Sequence, residues 1–401
     1  MIRSLATHPN TWRAGLALSM MAGAAWAAGR LISERLGSRL INWDWAAQVA
    51  ASASRARTPD VHWDRRKAQQ RYSDLVHRSH DLVSSYTGVT LPEPLTNVRI
   101  FDRMEWVDAN IANFRLLFDS LEQGYQSALK RTSASGALSG LSQVVLSAEV
   151  GLLLGYLARR VLGQYDISLL GRKPINSGQV YFVEPNIGRF ERRYALPSDD
   201  LRFWIALHEV THAFEFEAHP WLREHLNGLL TTYLGSLARD LFGSRQDLPL
   251  AALLGRIRAN LVQSQHPLEL MMSDEQRGIF WSLQALMALM EGYSNHVMQQ
   301  VGQQFLPSYG RLRLYFEERA RRRGTAEQLF IRLTGLDLKL EQYALGEHFV
   351  NTVVKARGIE VMNRVWDGPA MLPSLNEIKA PLSWLDRIEA GSTAASTVIP
   401  S

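Results

Sequence analysis

Two histidines four residues apart, His208 and His212, with Glu209 behind the first, lie inside the largely apolar stretch 201–218. On a helix, positions i and i+4 share one face a turn apart, so both imidazoles can reach a single cation. Glu209 lies beside the first imidazole and can face water at an open coordination position. Ser198 reads as the N-cap of this helix, Asp199 and Asp200 complement its positive end, and Pro220 stops it. Phe203, Trp204, Ile205 and Leu207 give the motif apolar flanks that would keep a metal site dry. The plainer alternative is a pair of surface histidines in salt bridges with Glu209, Glu215 or Glu217.

The chain has 401 residues and no cysteine, which excludes disulfide scaffolds, thiolate nucleophiles, zinc fingers and iron–sulfur clusters. A tightly held transition metal would have to sit on His, Asp and Glu. A hydrolytic zinc site uses three protein ligands and keeps one position open. The longer motif with glycine at position 215 and histidine or aspartate at 218 is absent, because Glu215 and Ala218 stand there. The third ligand must then come from another helix, and Glu291, in the apolar segment 280–298, is the best candidate. A carboxylate there is costly to bury unless a cation or hydrogen-bond donors satisfy it; an arginine partner is the competing explanation. Asn295, four residues on and on the same face, could hold an imidazole N–H. Tyr293 and His296 are candidates to stabilise a developing oxyanion.

Along the chain, helical patterns cover 45–54, 65–85 and 105–130, the last with Trp106, Ile111, Phe114, Leu117, Phe118 and Leu121 at helical spacing. Residues 97–101 and 179–183 read as short strands, and 132–140 as a break rich in small residues. Segment 141–162 is nearly all apolar, with Gly151 and Gly155 four apart. That spacing suits close helix packing, in a membrane or in a core. Glu149, Arg159 and Arg160 favour the core. Helices are expected over 199–217, 221–242, 249–263, 274–303, 308–323, 325–334 and 337–357. Pro369, Pro373 and Pro381 suggest that 366–388 wraps over the surface, and 390–401 reads as a disordered tail.

Residues 14–29 carry no charge, follow Arg3 and Arg13, and contain Ala25-Trp26-Ala27, a small-x-small pattern. The stretch is shorter than the ~20 residues a bilayer crossing needs. It can be read as a buried or interfacial helix, a weak signal peptide or a membrane anchor. The expectation is a cytoplasmic protein able to touch a membrane surface through this segment, with secretion as the alternative.

Several segments together resemble a known family. They are Arg103-Met104-Glu105-Trp106 with Asn110, the run 160–166, and Val183-Glu184-Pro185-Asn186. Others are the run 208–212 with Pro220-Trp221-Leu222-Arg223, Glu291-Gly292, and Gly346-Glu347-His348-Phe349-Val350. The chain resembles the bacterial zincin-like hydrolases often labelled as associated with deazaflavin-coenzyme biosynthesis, a label that supplies no substrate. The resemblance covers about residues 43–389. It implies a predominantly α-helical α+β protein of zincin-like fold, with the H-E-x-x-H motif on its active-site helix and a small sheet. It divides the chain into 1–42, a zincin-like domain 43–389 (a helical part 43–175 and a metal-site part 176–389) and the tail 390–401. It also implies His208, His212 and Glu291 as Zn2+ ligands and Glu209 as catalytic acid/base. The family usually carries aspartate where this chain has Asn295, which would raise the basicity of a ligand less.

These readings predict a zinc-dependent, gluzincin-like metallopeptidase or hydrolase acting on a peptide or small amide substrate. The alternative is a non-catalytic zincin-like scaffold. The excess of 44 Lys+Arg over 39 Asp+Glu is too small to argue for nucleic acid. The run Arg311, Arg313, Arg319, Arg321, Arg322 and Arg323, interleaved with Glu317 and Glu318, reads as a solvated helix face rather than a nucleic-acid or anionic-surface patch. His348, on a helix with Glu347, could line the cleft, although a satisfied core or surface histidine is the better reading; the cluster His62, His77 and His80 and the pair His219 and His225 read as surface groups.

Overall fold

The computed structural model describes residues 39–55, 62–131, 136–165, 178–242, 272–321 and 340–396. Four long helices and a strand come first: α1 (Trp43–Ser54), α2 (Arg65–Thr87), β1 (Asn97–Phe101), α3 (Arg103–Arg131) and α4 (Gly136–Ala158). Strands β2 (Gly163–Tyr165) and β3 (Gln179–Val183) lead into α5 (Glu184–Tyr194), α6 (Ser198–Glu217) and α7 (Pro220–Phe242). The rest comprises α8 (Asp274–Phe305), α9 (Tyr309–Arg321), α10 (Leu340–Arg357) and α11 (Ile359–Met362), two short 3-10 turns, α12 (Leu375–Lys379) and α13 (Pro381–Ser396). The expected α+β class holds, with helix dominating and one small sheet among the described residues.

Local chemistry sets the ends of several helices. Asp64 accepts from the N–H groups of Arg66 and Lys67 to start α2, and Gly88 ends it in the left-handed region at φ 71°. Ser273 and Gln276 form a reciprocal capping box at the head of α8. Ser198, expected as the cap of α6, is instead its first helical residue; Pro197 precedes it and no side chain caps the end. The Ser198 hydroxyl accepts from Arg71 (2.9 Å) and Arg202 (2.7 Å). Pro220 opens α7 rather than merely closing α6, because proline suits the first turn, where its missing N–H costs nothing.

The sheet has the order β1-β3-β2, with β1 parallel and β2 antiparallel to β3. All five residues of β3, QVYFV, are buried, as expected of a central strand covered on both faces. Strand β2 was not foreseen, since three residues carry no readable period. Helix α4 starts at Gly136, inside the stretch read as a break. Gly151 and Gly155 do mark close packing: a Cβ on either would lie 2.5–2.6 Å from the carbonyl oxygens of Ala46 and Ala50 on α1. Among the described residues no helix is long and apolar enough to cross a membrane.

Two buried polar ties fix the helices around the sheet. Arg103 Nε donates to Asn186 Oδ1 (2.7 Å), and Asn186 Nδ2 donates to the carbonyls of Ala158 and Val161. Arg202 on α6 pairs with Glu184 and, at 2.6 Å, with Glu191 on α5, while Tyr72 of α2 donates to Glu184 (2.5 Å). Two of the family-like motifs, those around Arg103 and Glu184, thus anchor α3 and α6 to α5.

The C-terminal stretch does more than wrap the surface. Trp384 is fully buried, Ile378 and Ile388 are in the core, and Ser374 and Glu377 cap α12 reciprocally. Proline at Pro381 begins α13, which continues through Ser396 into the expected tail. The N-terminal apolar segment, the expected helices 249–263 and 325–334, and residues 397–401 lie outside the described residues.

Candidate metal centre

Helix α6 is apolar on nearly every side. Leu201, Phe203, Ile205, Ala206, Leu207, Val210, Ala213 and Phe214 are all buried. Such a helix must be wrapped, and it packs on α2, α7, α8 and β2. His208 and His212 emerge from it toward α8, which carries Glu291.

The three side chains converge. His208 Nε2 and His212 Nε2 are 3.3 Å apart, and Glu291 lies 4.0 Å from each ring through its two oxygens. One ligand atom from each residue lies within 4.8 Å of the others. Zinc bonds of about 2.0–2.2 Å in a tetrahedron place donors roughly 3.3–3.6 Å apart, so the donor set fits with the carboxylate slightly drawn back. The side chains retain 28%, 14% and 28% exposure for His208, His212 and Glu291, which leaves an open side.

The other ring nitrogens explain why the two Nε2 atoms face each other. His208 Nδ1 is 2.9 Å from Ser294 Oγ and 3.3 Å from Met298 Sδ. His212 Nδ1 is 2.7 Å from Glu215 Oε2. With each Nδ1–H donated outward, both Nε2 atoms carry lone pairs, and at this separation they need a proton or a cation between them.

The outer partners are therefore Ser294 and Glu215. Asn295, expected to hold an imidazole, lines the adjoining cavity instead. Glu215, which the sequence offers as a salt-bridge partner of surface histidines, is 1% exposed. Its position three residues after His212, on the same helical face, is the signal that could have revealed it. Tyr293 and His296 are engaged elsewhere. Tyr293 donates to Asn363 Oδ1 (2.7 Å), while His296 contacts Tyr86 Oη (2.6 Å) and Asn351 Oδ1 (2.5 Å). Neither lines the cavity, so the geometry offers no support for an oxyanion role.

Strand β2 positions Glu209. The Val183 N–H donates to the Leu162 carbonyl, so in the alternation of an antiparallel pair Gly163 and Tyr165 turn their backbone polar groups away from β3. The outward N–H of Tyr165 donates to Glu209 Oε2 at 2.8 Å. Gly163 lies against the other oxygen, where a Cβ would be 2.6 Å from Oε1. Glycine is what lets the strand approach the carboxylate so closely.

Burial dominates the electrostatics. It pushes the Glu209 carboxyl up to about 7, against the opposing pull of His212 and the Tyr165 N–H. Burial also raises Glu215 to about 7 and raises Glu291. Burial and then the neighbouring His212 hold His208 well below the ordinary histidine range. Burial would lower His212 too, but Glu215, Glu291 and Glu209 outweigh it and bring it up to about 9. Several buried acids around one imidazole are what a divalent cation would neutralise.

A cavity of about 240 Å3 adjoins His208 and Glu209. Beyond it, Arg311 donates to the Ala195 carbonyl and Arg313 pairs with Glu347 at 3.0 Å, so these two arginines serve intramolecular contacts. The side chains of Arg319 and Arg321 and residues 322–323 lie outside the described residues. His348 is exposed, as are His62 and His77, whereas His80, His219 and His225 are half-buried.

Residues 41–385 match the model of a family described as zincin-like metallopeptidase. A crystal structure of a candidate hydrolase with a novel fold from Chloroflexus aurantiacus is also similar, with 40% sequence identity and a TM-score of 0.68. The match covers 87% of this chain and 99% of that one. No curated protein matches.

Proposed function

Because this chain belongs to the zincin-like metallopeptidase family, we propose that it is a zinc-dependent hydrolase that cleaves a peptide or other amide bond. The observation that carries the reading is the convergence of His208, His212 and Glu291, with Glu209 held beside them at the wall of a cavity. A site used only to hold structure together has little use for a second carboxylate at the cavity wall beside its ligands.

His208, His212 and Glu291 would hold the ion. Zinc bound there would supply Lewis acidity, acidifying water and polarising the scissile carbonyl. Glu209 takes the proton of the attacking water and delivers it to the leaving amine. Its raised pKa suits both halves of that transfer, and the Tyr165 N–H keeps one oxygen fixed while the other does the exchange. Asn295 lines the same cavity, and its amide would be the donor to a substrate carbonyl.

The test is metal analysis of protein purified without a histidine tag, together with hydrolysis of a peptide-amide library. One zinc per chain, lost in His208→Ala and Glu291→Ala, is expected. Glu209→Gln should keep the zinc and lose turnover by at least a hundredfold, the usual weight of a general acid/base. Zinc content indifferent to these ligands would overturn the reading. Full biological activity in Glu209→Gln with zinc retained would favour a non-catalytic scaffold.

A further inference from the structure

We infer that the cavity beside the metal residues selects an amide flanked by a neutral apolar or aromatic side chain, and that Trp204 and Phe316 form the wall that reads it. The inference rests on the hydrolase reading and adds a substrate class to it.

The cavity is divided by chemistry. Its polar residues, His208, Glu209 and Asn295, are those of the proposed reaction centre. The rest of its surface is apolar: Leu162, Trp204, Ile205, Met298 and Phe316, with the backbone of Gly163. No Lys or Arg is among the described residues that line it. A substrate carboxylate would therefore lose its hydration without gaining a cation, beside the buried acid Glu209. An apolar group gains from the same desolvation.

Size limits what can enter. At about 240 Å3 the space is below the roughly 300–1,000 Å3 of pockets that enclose whole drug-sized ligands. It suits one side chain and its adjoining amide.

The wall is also built to stay in place. Trp204 and Phe316 stack with ring centroids 5.5 Å apart and an interplanar angle of 11°. Tyr309 packs on Trp204 at 5.3 Å, and Phe190 on Phe316 at 5.1 Å. Helix α9, which supplies Phe316, is tied down at its start by the Ser308 N–H and hydroxyl on Asp200, and along its length by Arg311 on the Ala195 carbonyl and Arg313 on Glu347. A preorganised aromatic wall spends little binding energy on ordering itself.

The experiment measures binding separately from turnover. Ligand-observed NMR on the full chain, with zinc and after chelation, uses the N-acetyl amides of phenylalanine, leucine, tryptophan, aspartate and lysine. Phenylalanine and leucine amides should bind at least tenfold more tightly than aspartate and lysine amides in both states. Phe316→Arg should abolish that binding and admit the aspartate amide. Phe316→Ala, which only enlarges the space, should shift preference toward the tryptophan amide, with circular dichroism reporting that both variants are folded. Equal binding of charged and apolar amides, or phenylalanine-amide binding unchanged in Phe316→Arg, overturns the inference. Selective binding without hydrolysis would instead count against the reaction, not against the pocket.

Discussion

The Nδ1 atom of His212 lies 2.7 Å from Oε2 of Glu215, a carboxylate 1% exposed and one helical turn further along α6. The other oxygen of Glu215 has no hydrogen-bond partner among the described residues. A buried acid satisfied on one side only is expensive, and the bond Glu215 does make is to His212. It fixes the ring, keeps the proton on Nδ1 and makes Nε2 a better donor to a cation.

Glu215→Gln should therefore weaken zinc binding by about 10–100-fold, the usual cost of losing such an outer partner. The amide can still accept the Nδ1–H, so the fold should hold. Competition against a chromophoric chelator measures the affinity. An unchanged value would mean that Glu215 serves packing alone.

Gly163 offers a second test, since a methyl group there would sit 2.6 Å from Glu209 Oε1. Either β2 or the carboxylate must move. Displacement of about 1 Å at a reacting group can cost on the order of a hundredfold in rate. Gly163→Ala should lower kcat steeply while zinc content stays at the wild-type level, because the nearest atoms an added methyl would meet all belong to Glu209. Loss of zinc in parallel with kcat would show that the strand supports the whole site.

Much of this arrangement is legible in the amino-acid sequence. The apolar run around His208 and His212 fixed the helix, and the costly carboxylate at Glu291 singled out the helix facing it. Both five-residue strands were legible because β-branched and aromatic residues cluster there. What is not legible depends on contacts distant in sequence. Tyr165 reaches Glu209 through a backbone N–H, which leaves no trace in residue type. Ser294, one residue before the expected Asn295, faces His208 because the rotation of α8 follows from its packing on α10, and periodicity does not encode that angle. Tyr293 and His296 looked functional by proximity alone, and their partners Asn363, Tyr86 and Asn351 come from three other elements.

The packing of α8 on α10 is itself testable. A Cβ on Gly346 would lie 1.8 Å from the Ala288 carbonyl oxygen, and one on Gly292 would lie 2.2 Å from the backbone of Gly346. The two helices touch backbone to backbone beside Glu291. Overpacking a tight contact costs typically about 1–3 kcal/mol, and rigid backbone neighbours put this site at the upper end. Gly346→Ala should show that loss in urea denaturation, with zinc affinity falling as Glu291 is pushed away. Stability within about 0.5 kcal/mol of wild type, the range of neutral surface changes, would contradict the contact.

The last prediction concerns acid. His219, expected at the surface, is half-buried with its ring 5.8 Å from that of Trp366, and burial depresses its pKa to about 4 against a mild opposing pull from Asp367. In the unfolded chain the same ring titrates near 6.5. Between those values the unfolded state binds the extra proton, so stability rises with pH there. The neutral ring's contribution is fully present above about 6.5 and is lost as pH falls toward 4. His219→Asn removes the titration. The variant should be less stable than wild type at pH 8, where packing on Trp366 is lost, and the gap should narrow steadily as pH drops to 4. Thermal melts of both proteins at half-unit intervals from pH 8 to 4 measure that difference, and subtraction cancels the groups they share. A gap that stays constant across the range would mean that His219 is protonated as readily in the folded protein as in the unfolded one.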